Sequence, residues 1–235
     1  MASASPAAAE GIDAALWARR WHAATCVVGA FGVVSQLWIV ATQTVTPQLS
    51  PFSLPIRLWN VLSYFTIWSN IIVTGVAFLL ARNPRRRRPV FSVVHLASLI
   101  MIAVTGVVYA VVLAPIWDPT GWQRVADQAL HYATPLIAVA GYLLFGPRPS
   151  FSLRTLGLTL VIPLSWLAYT LIRSPFISYA QGGETRHWYP YHFINVDDLG
   201  HGRSLLNAAG FFLFFLAIGG LFCFLDRRLA PAPPG

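Results

Sequence analysis

The stretch LWNVLSYFTIWSNIIVTGVAFLLARNPRRRRP, Leu58 to Pro89, decides the fold. Residues 58–81 carry no charged side chain. At a rise of about 1.5 Å per residue that length crosses roughly 30 Å of hydrocarbon as a helix. Lipid offers free backbone groups no partner, so such a run has to be helical. Arg82, Arg85, Arg86, Arg87 and Arg88 follow at once, the signal that holds a loop in the cytoplasm. Inside the apolar run, however, stand Ser63, Thr66, Asn70 and Thr74, and their presence has to be explained.

Five further runs, near residues 22–42, 90–114, 127–146, 155–173 and 204–225, have the same character. The expected fold is all-α: a polytopic membrane protein built as a single bundle of six transmembrane helices over residues 22–228. Residues 1–21 are expected as a mobile tail and the Pro-rich residues 229–235 as a second one. With 56% hydrophobic and 10% charged residues and a mean hydropathy of +0.61, the 235-residue chain is excluded from the soluble class. The net charge of +8 does not imply nucleic acid, because the basic residues lie in short segments between apolar runs.

Arginines 19, 20, 82, 85–88, 148, 154, 227 and 228 fall on one side of the bundle, against Arg57, Arg124, Arg173, Arg186 and Arg203 on the other. Both termini are therefore expected in the cytoplasm. The exclusive use of Arg over Lys, with abundant Ala, Gly and Pro, points to a GC-rich genome and a bacterial cytoplasmic membrane. Cys26 and Cys223 lie in apolar runs and read as packing residues.

Helical spacing puts Ser63, Thr66, Asn70 and Thr74 on one face of the second span. Such a stripe is either interhelical glue or part of a site. On the fourth span, Asp127, His131 and Thr134 share a face, and an ionisable residue at that depth reads as functional. Thr66 and His131 fall about 12 Å and about 6 Å below the outer ends of their helices, close enough in depth to meet. A hydroxyl beside an imidazole is the minimum apparatus for acyl transfer. Asp127 either orients that imidazole or is a solvated acid at a helix start. Pro135 is expected to kink the helix beside His131.

Ser165, Tyr169 and Arg173 form a stripe on the fifth span, and His95, Ser98, Thr105 and Tyr109 one on the third. Arg173 reads as a snorkelling residue or as an anchor for a lipid carboxylate or phosphate. The loop from Ser174 to Arg203 carries His187, His192, His201, Asp197 and Asp198. Their spacing matches no zinc motif, and no metal or other cofactor is expected. Instead NVDDLGHGRSLLN reads as a capping turn that starts the sixth helix, and HWYPYHF as an aromatic lid.

In the order RLWNVLSYFTIWSNIIV, GVVYAVVLAP, GWQRVADQALHYATPLIAVAGYLLFGPR, PLSWLAYTLIR and WYPYHFINVDDLGHGRSLLN, the chain resembles a group of small bacterial six-helix membrane proteins. It is distantly similar to the androgen-induced and androgen-dependent transmembrane proteins of animals, hydrolases of fatty acid esters of hydroxy fatty acids. That resemblance implies Thr66 as nucleophile and His131 as its base. The departures are the IWSN that follows Thr66 and the long ETRHWYPYHF loop. The function expected is hydrolysis of lipid esters, with Ser63, Tyr64, Asn70, Asp127, Thr134, Tyr169, Arg173, His192, Asp197 and Asp198 supporting catalysis or binding substrate. The alternative is a non-catalytic lipid carrier with a polar cavity. Membrane lipids and a lipid ester or fatty acid are the partners expected on either reading.

Overall fold

The computed structural model describes residues 6–42 and 52–231. Among the described residues six helices are long and apolar enough to cross a membrane: Asp13–Thr42, Phe65–Arg82, Pro89–Ile116, Gly121–Phe145, Leu153–Phe176 and Val196–Arg228. In chain order the elements are α1 (Pro6–Thr42), α2 (Leu54–Leu62), α3 (Phe65–Arg82), α4 (Pro89–Val108), α5 (Gly121–Gln128), α6 (Thr134–Phe145), α7 (Leu153–Thr159), α8 (Val161–Arg173), β1 (Ser178–Gln181), β2 (Glu184–His187) and α9 (Val196–Arg228). Bulky apolar side chains such as Val34, Val111, Leu136, Ile172 and Leu213 are exposed around the bundle. So much outward apolar surface is what a lipid-facing belt requires.

Helix association in lipid depends on close packing, since the solvent is as apolar as the side chains. Glycines permit it here: a Cβ on Gly106 of α4 would meet Pro135 at 3.0 Å and the His131 carbonyl at 3.4 Å. That approach brings α4 against the helix carrying His131. At the Arg-rich end, Asp226 of α9 is buried and accepts from Tyr142 Oη at 2.9 Å and from the Ser150 and Phe151 amides at 2.7 and 2.9 Å. One carboxylate thus ties α6, the turn before α7 and α9 together.

The structure departs from the sequence reading at four places. Residues 6–21, expected as a tail, are helical and continuous with α1. The second span is not one helix: α2 ends at Leu62 and α3 begins at Phe65. No Gly or Pro marks this break. It is held by tryptophans, since Trp68 Nε1 donates to the Leu62 carbonyl at 2.8 Å and Trp166 Nε1 to that of Ser63 at 2.9 Å. Thirdly, the fold is not purely helical. β1 and β2 form an antiparallel hairpin, with Gln181 opposite Glu184 and Gly182 and Gly183 both at positive φ in the two-residue turn. Finally, α4 and α5 each run into a π-helical turn, Tyr109–Leu113 and Ala129–Ala133.

Candidate active site

The break before α3 places Thr66 second in a new helix. The first amides of a helix have no intrahelical acceptor. Here Ile67 and Trp68 donate to the Tyr64 carbonyl, whereas the Thr66 amide donates to the hydroxyl of Tyr191 at 3.3 Å. Thr66 Oγ1 lies 3.2 Å from His131 Nε2 and 3.5 Å from Tyr191 Oη.

His131 sits in the middle of the second π-helical turn. There the amide of Thr134 reaches the Ala129 carbonyl, five residues back, and the Thr134 hydroxyl joins it at 2.8 Å. By the same register the Leu130 carbonyl should accept from residue 135, which is proline and has no N–H. Asn70 fills the gap. Its Nδ2 donates to the Leu130 carbonyl at 3.1 Å and to the Thr66 carbonyl at 2.9 Å, joining the helix of the threonine to that of the histidine.

On its other nitrogen, His131 Nδ1 is 3.1 Å from Asp127 Oδ1 and 3.1 Å from the Asp127 carbonyl. Tyr109 donates its hydroxyl to Asp127 Oδ2, and its ring stacks on the imidazole with centroids 3.9 Å apart and planes 15° from parallel. Tyr109 itself opens the first π-helical turn. Two irregular turns therefore face each other across the site, a frequent location for π-bulges. Hydroxyl, imidazole and carboxylate stand in sequence, with Thr66 8% exposed and Asp127 5%.

Thr66 also marks the boundary of two cavities. One is apolar, walled by Val104, Leu164, Phe211 and Phe215 among others and bounded by α4, α8 and α9. Leu164 on its wall is exposed. The other is a larger and more polar vestibule beneath the hairpin that takes in Gln36, Gln123, His131, His187, Trp188 and His192. Thr66, Tyr109 and Tyr191 line both.

Several expected site residues serve the scaffold. Ser63 bonds the Trp59 carbonyl and the Tyr169 hydroxyl at 2.8 and 2.9 Å, so Ser63 and Tyr169 lie between α2 and α8 and line neither cavity. Tyr64 lines the vestibule, packed edge-on to Trp188 and Tyr191. Arg173 neither snorkels nor faces a cavity. It is buried, donates to Asn60 Oδ1 and lies over the Trp59 and Trp188 rings at 4.6 and 5.2 Å. Asp197 holds His187 at 3.0 Å and Asp198 holds Arg186 at 2.7 Å, pinning β2 to the start of α9. Asn195 caps that start, and Gly200 at φ 71° turns the chain into the long helix. His192 is exposed at the rim of the vestibule. Among the described residues no three His, Cys, Asp or Glu side chains are grouped to hold a metal ion.

Tyr191 is the residue that sequence reasoning missed. It belongs to the aromatic run expected as a lid, and only the fold sets its hydroxyl beside Thr66. Burial pushes its phenol above the ordinary range, while hydrogen bonds from the Thr66 and Phe65 backbone act the other way. A phenol in that range keeps its proton and can donate. Comparison with known proteins finds no matching family, no matching curated protein and no matching solved structure.

Proposed function

We propose that this chain is an integral-membrane hydrolase of lipid esters, distantly related to the threonine- and histidine-dependent fatty-acid-ester hydrolases it resembles in sequence. The observation that carries this reading is the 3.2 Å contact between Thr66 Oγ1 and His131 Nε2, backed by Asp127 on Nδ1, where an apolar and a polar cavity meet.

In the proposed cycle Thr66 Oγ1 attacks the ester carbonyl carbon as His131 Nε2 takes its proton. The tetrahedral oxyanion accepts from the Tyr191 hydroxyl and the Thr66 amide, a donor pair of the oxyanion-hole kind. As it collapses, the C–O bond to the alcohol breaks and His131 returns the proton to the departing oxygen. Water from the vestibule then attacks the acyl-threonine, again losing its proton to His131. Collapse releases the fatty acid, and the proton returns to Thr66. Asp127 stabilises the imidazolium formed in both halves, and the Tyr109 ring supports it from its face.

The test is ester cleavage by the full chain purified in detergent, together with labelling by a fluorophosphonate. Thr66→Ala and His131→Ala are each expected to lose at least about 10³-fold in kcat, with labelling abolished in the threonine variant. Equal turnover in all three proteins overturns the reading. Lipid that co-purifies uncleaved, and is lost when cavity residues are changed, would favour the carrier instead.

A further inference from the structure

The vestibule is the more polar of the two cavities, yet among the described residues no arginine lines either, and the chain contains no lysine. The charged and titratable side chains facing it, apart from tyrosines, are Asp127, His131, His187 and His192. Asp127 is a carboxylate. His187 lies against Asp197 at 3.0 Å, so any charge it acquires is already countered. Three arginines on the same side of the bundle are occupied elsewhere: Arg173 by Asn60 and two indoles, Arg186 by Asp198, Arg124 by Asp118. A carboxylate or phosphate headgroup entering here would lose water without gaining a counter-ion and would face Asp127.

An uncharged, hydroxyl-bearing group is better served. Gln36 and Gln123 present amides that both donate and accept, and Tyr179 and Tyr189 present hydroxyls. Trp188 borders the same space, and its buried indole N–H has no partner among the described residues. Trp117 lines the vestibule too, and its ring offers a face against which carbon-bound hydrogens of a polyol can pack.

We infer that the substrate is an uncharged lipid ester of the acylglycerol class. Its acyl chain lies in the apolar cavity and its neutral polyol in the vestibule, with the ester carbonyl at Thr66. This rests on the ester-hydrolase reading above. One ester and one water give one fatty acid and one alcohol, the water supplying hydroxyl to the acyl group and hydrogen to the alcohol oxygen. The acid product ionises, and a vestibule lined by no arginine or lysine among the described residues offers it no permanent counter-ion.

The test compares three oleoyl esters, 1-oleoylglycerol, the oleoyl ester of glycolic acid and oleoylcholine, on the purified full chain. The glycerol ester is expected to show kcat/KM at least about tenfold above the carboxylate ester, since like-charge contacts cost several kcal/mol and 1.4 kcal/mol is a factor of ten, and above the choline ester, whose ammonium finds Asp127 already engaged by His131 and Tyr109. Equal or faster cleavage of the carboxylate or choline ester overturns the inference. Binding separates this from the catalytic reading. Tryptophan fluorescence is titrated with 1-O-oleylglycerol, an ether that cannot be cleaved, and with the matching ether carboxylate, in the unmodified chain and in Thr66→Ala. Tighter binding of the neutral ether upholds the headgroup assignment even if no ester is cleaved, an outcome that sinks only the hydrolase. Equal or tighter binding of the carboxylate sinks the assignment. Gln36→Arg should raise the relative rate, or the relative affinity, for the carboxylate at least about fivefold by supplying the missing counter-ion; an unchanged ratio means the headgroup lies elsewhere.

Discussion

At the scale of the residue, the site turns on how His131 is held. Its Nδ1 hydrogen has two acceptors, the Asp127 carboxylate and the Asp127 carbonyl, each at 3.1 Å. In triads where the carboxylate alone fixes the tautomer, replacing it by an amide costs about 10⁴-fold in kcat. Here the backbone carbonyl remains after Asp127→Asn and still selects the tautomer with a bare Nε2. What is lost is the charge that stabilises the imidazolium, and the expected fall in kcat is nearer about 10²-fold, read from steady-state rates. A loss as great as that of His131→Ala would mean that the carbonyl contact holds nothing. Tyr191→Phe removes one donor from the proposed oxyanion, and about 10²- to 10³-fold in kcat with little change in KM is expected. Unchanged kcat would remove Tyr191 from the chemistry and leave it as packing beside Tyr64 and Phe193.

Among the elements, the informative ones are irregular. A straight second span would have spent the Thr66 amide on the carbonyl of Leu62; the break turns it to the Tyr191 hydroxyl instead, and Trp68 and Trp166 satisfy the carbonyls exposed by the break. The π-helical turn at Ala129–Ala133 leaves the Leu130 carbonyl to Asn70 because residue 135 is proline. Asn70→Leu therefore orphans a buried carbonyl, at a cost of roughly 1–3 kcal/mol, and uncouples Thr66 from His131. Thermal unfolding in detergent should show the lower stability. Kinetics should show kcat reduced about 10- to 100-fold at nearly constant KM, since small misplacement of a nucleophile carries that penalty. A stability loss with full kcat would mean that Asn70 joins the helices without positioning the pair. These elements also mark where the sequence stops being readable. The facing of Thr66, Asp127 and His131 follows from polar residues at helical spacing, and Pro135 announces an irregular turn. The break at Ser63 has no Gly or Pro to announce it, because indoles hold it, one from nearby Trp68 and one from Trp166, far along the chain. The Gly182–Gly183 pair is a hairpin signal, but it is short beside the apolar runs that dominate the reading.

For the whole molecule, the bilayer itself makes the six spans legible, because it sets a minimum apolar length that each must meet. From the distribution of arginines we also expect a direction. The α3–α4 connection carries Arg82 and Arg85–Arg88, and Asp226 draws α9, followed by Arg227 and Arg228, against the turn containing Arg148. Arginines near an anionic cytoplasmic leaflet contribute about 1 kcal/mol each. The hairpin and vestibule are then expected on the opposite face, where substrate arrives from the outer leaflet and water from outside the cell. Labelling with a membrane-impermeant maleimide tests this in a chain whose Cys26 and Cys223 are changed to Ala. Glu184→Cys, exposed on β2, should react in intact cells, whereas Arg87→Cys, exposed in the Arg-rich loop, should react only after lysis. The reverse pattern would leave the bundle and its site as they are but turn the vestibule toward the cytoplasm, making the inner leaflet the source of any ester it receives.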